Sequence, residues 1–350
     1  MPFPRTPHAP ARRSRLRPAL GVAVTSLTCL ALAGCGGNQL PGAAPGAQPV
    51  SAPKAEVSGN PDTWPLTGLM VESGESIQEH PVLVLKMDNT PGSAPQQGLG
   101  SADLVVEELV EGGVTRLAAF YYSSIPDAVG PVRSMRASDI GIVTPVDASM
   151  VTSGAASVTI SRIRDAGIPY FNEDSAGFYR ESSRPSPYNL FTDLGEIADE
   201  AATTPGRPAD YLPFGSADAL PAGQAATSIE ARFSPARTTT WSFDDGRYVN
   251  DNGFAGEDDQ FPADTVLVLK VKVGDAGYRD PAGNKVPETE FVGGGEAMLF
   301  HGGRLVRGTW AKPGLDSALA LSTQAGDLVV PPGRTWIELV PQDGGDVTFD

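Results

Sequence analysis

Cysteine and histidine are both scarce in this chain, two of the first and three of the second in 350 residues. Cys29 lies inside an apolar run and Cys35 ends it, so the body of the protein has no disulfide to rely on and must be held by its cores. With only His8, His80 and His301 present, chemistry that draws on several histidines is excluded by counting. There is no H-x-x-x-H, no cysteine cluster and no D-x-D-x-D-G loop, so no metal site is expected and no cofactor is implied. Positive charge is also short. Against 42 Asp and Glu stand 26 Lys and Arg, a formal net charge of -16, which makes nucleic acid a poor partner.

What is present starts with compartment. Arg12, Arg13, Arg15 and Arg17 precede an apolar stretch from Ala19 to Leu32, too short to span a bilayer comfortably, and "LAGC" closes it at Cys35. That order predicts a lipoprotein signal over residues 1–34, cut before Cys35. The Cys35 thiol would carry lipid and hold the mature chain on the outer face of a bacterial cytoplasmic membrane. Residues 1–34 hold five arginines and no acid, so their removal takes the charge from -16 to -21. Residues 35–62 are rich in Gly, Pro and Ala without apolar periodicity and read as a flexible tether with a root-mean-square span of about 25–30 Å.

The rest divides by pattern into an α/β (or α+β) amino-terminal domain over residues 63–224 and a smaller β-rich domain packed on it over 225–350. "HPVLVLKMDN" predicts a buried strand with Asp88 and Asn89 at its carboxyl end, where open α/β sheets place ligands. "ADLVVEELVEGGVTRLAAFYYS" predicts a hairpin turning on Gly112 and Gly113 alone. That register sets Leu109 opposite Arg116, groups Glu107, Glu111 and Arg116 on one face, and leaves Leu104, Val106, Glu108 and Val110 on the other. "SVTISRIRDAG" predicts a helix with Val158, Ile160 and Ile163 inward. "FTDLGEIADEAA" predicts another, with Thr192 or Asp193 as its N-cap. "HGGR" predicts a second tight hairpin.

In "GPVRSMR", Pro131 suits a first helical turn, which would project Arg133 and Arg136 from one side at i, i+3 with Ser134 between them. Two forked donors at a helix entry would form an anion site. The competing reading makes them structural ion pairs, Arg136 with Asp139 and Arg133 with a glutamate such as Glu107.

The blocks "WPLTGL", "PVLVLKMDNTPGSAPQQGLGSADLVVEELVEGGVTRLAAFYYSSIPDAVGPVRSMR", "PYNLFTD", "AMLFHGGRLVRGTWAK" and "PPGRTWIELVP", in that order, closely resemble the YerB-like lipoproteins, a family of unknown function. The resemblance runs from about Trp64 to Pro341. It implies an α/β amino-terminal domain, a β-rich carboxyl-terminal one and envelope lipoprotein status, and it implies no particular reaction. Relatives tend to have His-Ala-Gly-Gly-Ser where this chain has "TSGAAS" (Thr152 to Ser157), and His where it has Tyr188, which counts against histidine-dependent chemistry here.

Two functions of different classes follow. In the first, the lipid-anchored protein binds an anionic glycan, a peptidoglycan fragment or an envelope enzyme through a polar amino-terminal cleft made by Asp88, Asn89, Glu107, Glu111, Arg116, Arg133, Ser134, Arg136 and Asn189. In the second it is an envelope hydrolase or transferase acting on a glycan or a phosphorylated lipid-linked precursor, with Glu107 or Glu111 as acid. Spacing favours the first. Four residues along a strand separate Glu107 from Glu111 by roughly 13 Å, too far for a glycosidase pair unless Asp88 or another acid is the partner. Ser134 and Ser153 have no histidine near them in sequence, which disfavours a serine hydrolase.

Overall fold

The computed structural model describes residues 60–72, 77–204 and 206–350. The segments expected to be signal and tether, Cys35 included, lie outside the described residues except for residues 60–62. The apolar run at Leu83–Asn89 forms β1, buried along its whole length as a strand covered on both faces must be. It is followed by β2 (Leu104–Leu109), β3 (Thr115–Tyr121), α1 (Asp139–Val143), β4 (Ser149–Val151), α2 (Ser157–Asp165) and β5 (Tyr170–Phe171). A short hairpin, β6 (Phe178–Arg180) and β7 (Leu190–Thr192), and then α3 (Leu194–Glu200) complete the α/β region.

Strands dominate thereafter: β8 (Gln224–Ala225), β9 (Ser228–Ser234), β10 (Arg237–Asp244), β11 (Arg247–Asn250), β12 (Thr265–Arg279), β13 (Lys285–Glu290), β14 (Gly293–His301), β15 (Arg304–Lys312), β16 (Ala320–Thr323), β17 (Gly326–Asp327), β18 (Thr335–Pro341) and β19 (Asp346–Phe349). One mixed sheet runs β17-β16-β15-β14-β12-β18-β2-β3-β1-β4-β5, and a second runs β11-β10-β9-β19. The β-rich region does more than pack on the α/β region. Its β18 pairs in parallel with β12 on one side and with β2 on the other, so the two regions meet strand to strand.

Each face of the main sheet carries its own core, because side chains alternate along every strand. Val84, Val106, Ala118, Phe120, Leu269 and Leu339 form the first face with Ile142 of α1 and Ile163 of α2. Leu85, Met87, Val105, Leu117, Val268 and Trp336 form the second with Trp241 of the smaller sheet and Ile197 of α3. Asp193 caps α3, accepting hydrogen bonds from the backbone of Gly195 and Glu196. The "HGGR" hairpin pairs His301 with Arg304.

Three expectations need correction. The β2–β3 turn takes in Glu111 as well as both glycines, so Val110 N donates to Val114 O and Glu108, not Leu109, stands opposite Arg116. A slip of one residue exchanges the faces, so Arg116 shares a face with Glu108 and not with Glu107. In α2 the buried side chains are Thr159 and Ile163, while Val158 is 44% exposed. The third concerns "GPVRSMR", which is not helical. Val132 bridges Met87 antiparallel, Arg133 N donates to Lys86 O, and α1 begins only at Asp139. The segment extends the sheet beside the carboxyl half of β1, where β4 no longer reaches.

Candidate functional site

Asp88 and Asn89 are successive residues of β1 and point to opposite faces, so the single cleft expected to contain both does not exist. Two polar clusters stand in its place, one on each face. On the first face, Lys86 and Asp88 from β1, Glu108 from β2 and Arg116 from β3 meet Arg133, Ser134 and Arg136 from the extended segment. Lys86 Nζ lies 2.8 Å from Glu108 and 2.9 Å from Asp139, with all three side chains fully buried.

Glu111 works as a clamp in front of this triad. Its carboxylate accepts Arg136 Nε at 2.9 Å, pairs with Arg136 Nη2, and takes Arg116 Nη2 at 3.3 Å. Burial pushes Glu111 up, but the Arg136 hydrogen bond and the Arg116 charge outweigh it and hold the carboxyl below its usual range. Burial and the neighbouring Arg136 charge bring Arg116 down to about 10. Backbone carbonyls take the remaining donors: Arg116 Nη1 reaches Ser134 O at 2.7 Å and Arg136 Nη1 reaches Met135 O at 2.8 Å.

These two arginines are therefore built in. Arg136→Lys keeps the charge but breaks the fork, and should lower stability by about 1–3 kcal/mol, read by thermal unfolding, whether or not a ligand is present. Arg133 differs. Its side chain is 21% exposed, but its Nη1 is buried and makes no hydrogen bond, only the long ion pair with Asp88 at 3.4 Å. The guanidinium lies 5.6 Å from the Tyr188 ring centroid. Ser134 Oγ and Ser153 Oγ lie 3.1 Å apart, and Ser153 N donates to Arg133 O. Both departures from the family resemblance, "TSGAAS" and Tyr188, thus converge on Arg133.

On the second face Glu107 accepts from Asn89 Nδ2 (2.9 Å), Thr115 Oγ1 (2.6 Å), Arg237 Nε (3.2 Å) and Thr239 Oγ1 (2.9 Å). Glu338 of β18 is its direct neighbour across the parallel seam. Glu338 Oε1 accepts Trp241 Nε1 at 2.9 Å, whereas Oε2 finds no donor. Burial and the Glu107 charge push the Glu338 carboxyl well above its usual range, which favours its protonated form beside Glu107.

The structure thus brings Asp88, Glu111, Arg116, Arg133, Ser134 and Arg136 together and puts Asn89 and Glu107 on the far side of the sheet. Asn189 belongs to neither cluster and accepts from Arg180 on the β6–β7 hairpin. Neither expected structural ion pair of the arginines forms: Arg136 gives only its backbone N–H to Asp139, and Arg133 turns to Asp88. Lys86, Arg237 and Glu338 were missed, and Asp139 was read only as a partner of Arg136. A lysine or glutamate inside a continuous apolar run, as in "LVLKMDN" and "TWIELVP", signals a buried charge in need of a partner.

Among the described residues no three acidic, histidine or cysteine side chains converge as metal ligands would, and no helix is long and apolar enough to cross a membrane. Two surface hollows, about 530 Å³ beside Asp244 to Val249 and about 330 Å³ between residues 217–223 and the β14–β15 hairpin, are lined by none of the corner's side chains. The second contains His301, whose Nδ1 is 3.0 Å from Thr265 Oγ1.

Residues 66–207 match the profile described as "Protein of unknown function (DUF3048) N-terminal domain", and residues 229–337 match the corresponding C-terminal domain. The chain belongs to the DUF3048 family. Among curated proteins, this DUF3048 chain is 25% identical over 290 residues to the Bacillus subtilis protein named "Putative lipoprotein YerB", an alignment covering 79% of this chain and 86% of that one. The crystal structure of YerB from Bacillus subtilis superposes with a TM-score of 0.68 at 23% identity, over 82% of this chain and 99% of that one, which establishes a common fold. Every residue of both polar clusters except Glu338 falls within the two DUF3048 matches, and Glu338 follows the second by one position.

Proposed function

We propose that this protein is a lipoprotein held by lipid on Cys35 at the outer face of the cytoplasmic membrane, and that its Arg133 corner binds the anionic group of an envelope glycan or peptidoglycan fragment. The anchor rests on "LAGC", on the tether that follows it, and on the similarity to a protein named as a lipoprotein. Replacing Cys35 by Ala should move the protein from the membrane fraction to the soluble one. Retention with an unmodified amino terminus would sink this half of the proposal.

The binding half rests on one observation: among three crowded guanidinium groups, Arg133 is the most exposed, 21% against 8% and 9%, and its ion pair, with Asp88, is long at 3.4 Å. Arg116 and Arg136 spend their donors on Glu111 and on backbone carbonyls, so they contribute field while Arg133 contributes contact. Overall negative charge is no obstacle within a Debye length of about 8 Å. Arg133→Lys should weaken cosedimentation with purified peptidoglycan roughly tenfold, the effect of losing about 1–3 kcal/mol of charged hydrogen bonding, with the melting temperature almost unmoved. Undiminished cosedimentation would remove the corner from the account.

A further inference from the structure

The hollow of about 330 Å³ beside the β14–β15 hairpin is built by the register of that hairpin. Leu299 pairs with Val306 and, two residues nearer the turn, His301 pairs with Arg304, so all four side chains stand on one face. Leu299 and Val306 are buried and make an apolar floor, while His301 and the exposed Arg304 make the rim. Residues 217–223 supply the opposite wall, with Leu220 and Ala222 lining it. The wall is drawn close to β15 at Gly223, where a Cβ would fall 2.7 Å from Leu305 O. In volume the hollow stands at the low end of small-molecule sites.

Its charge is unlike that of the rest of the molecule. The chain has 42 acidic residues, yet none lines this hollow, whose ionisable side chains are His301 and Arg304. The larger hollow is the contrast, lined by Asp244, Asp245 and Asp264, with its Arg247 already 3.2 Å from Asp264. Arg304 has no carboxylate partner among the described residues, and its hydrogen bond from Nη1 to Gly223 O is long at 3.5 Å. That contact carries the guanidinium toward the wall and leaves its other donors for a ligand. The His301 ring is held from behind by Thr265 Oγ1, 3.0 Å from Nδ1. Burial lowers its pKa by more than the Asp264 charge raises it, so at neutral pH the ring is uncharged and Arg304 supplies the one standing charge. Asp264 is itself held by Arg247 and by the backbone N–H of Arg334.

We infer that this hollow is a second ligand site, independent of the Arg133 corner, that takes a small aliphatic monocarboxylate: the carboxylate pairs with the Arg304 guanidinium beside the His301 ring, and the chain lies on Leu299 and Val306 under the 217–223 wall. A planar carboxylate matches the guanidinium fork. A dianion would leave one charge without a partner, and a sugar would set hydroxyls against an apolar floor that offers them no hydrogen bonds.

The test is a calorimetric and amide-NMR titration of the mature chain, residues 35–350 without lipid, at neutral pH and fixed ionic strength. The probes are octanoate below its micellar range, 1-octanol, which shares only the chain, and acetate, which shares only the head. Octanoate should bind at least tenfold more tightly than either, and the amides it shifts should fall within residues 217–223 and 299–306. Arg304→Gln should weaken octanoate fivefold or more and leave octanol unchanged. Ala222→Trp, which fills the hollow from an exposed position of the wall, should weaken octanoate at least tenfold, with unfolding temperatures of both variants close to the parent's. Arg133→Lys should leave octanoate binding as it is, so the two sites stand or fall separately. Octanoate binding no tighter than octanol, binding unmoved by Arg304→Gln or by Ala222→Trp, shifts confined to other residues, or no binding of octanoate would each overturn the proposal.

Discussion

Lys86→Ala should lower the stability of the protein by about 3–5 kcal/mol, because it leaves two carboxyl groups in the core with no cation. Lys86, Glu108 and Asp139 are all inaccessible to water, and the ammonium stands within 3 Å of both acids. Burial alone would pull the ammonium pKa down, but the charges of Asp139 and Glu108 outweigh it and hold it up. Urea unfolding near neutral pH measures the loss. Lys86→Met combined with Glu108→Gln and Asp139→Asn, which removes the stranded charges too, should recover most of it. A single variant within about 1 kcal/mol of the parent would mean that water reaches the triad, contrary to the packing described.

The second large effect has the opposite sign. Glu338→Gln should stabilise the protein by about 1–3 kcal/mol at mildly alkaline pH, since the folded protein no longer has to hold a proton that the unfolded chain releases. The amide preserves the contacts: its N–H₂ takes the place of the protonated oxygen beside Glu107, and its carbonyl accepts Trp241 Nε1. The pH dependence follows from the raised folded-state pKa. Glu338 contributes fully below its ordinary value near 4.5, and that contribution is lost as the pH rises through the raised value. The variant should therefore match the parent near pH 4.5 and gain steadily above it. Asp139, pushed up to about 6 mainly by burial, leaves a smaller slope of the same sign in both proteins. Equal stability of the two proteins across the whole range would show that Glu338 is ionised in the fold.

Local pattern carried some of this and not the rest. β1, the existence of the β2–β3 hairpin, the Asp193 cap and the "HGGR" turn follow from apolar runs and turn chemistry within ten or so residues, and the sequence reading reached them. The hairpin register escaped because Glu111 enters the turn, and its side chain reaches Arg136, 25 residues further on. The shape of "GPVRSMR" escaped for a related reason. Gly and Pro before an apolar residue fit a helix entry equally well, and only pairing with Met87 decides for the extended form. Asp88 and Asn89 were grouped by adjacency although a strand assignment already implied that they diverge. Lys86 and Glu338 were legible as charges inside apolar runs, but their partners come from elements too distant in sequence for any spacing rule to name.

The parallel seam has a consequence for the order of assembly. β2 ends at Leu109, and the strand that completes its pairing begins at Thr335, about 230 residues later. While the chain emerges amino terminus first, β2 and β12 are both left with an unsatisfied edge in what will become the middle of a sheet, and no local contact closes it. The amino-terminal strands can collapse early, but the sheet cannot become continuous until residues 335–341 arrive. Folding should be slow for the size of the protein, and the interval before closure is the one in which edge-to-edge association with another copy competes.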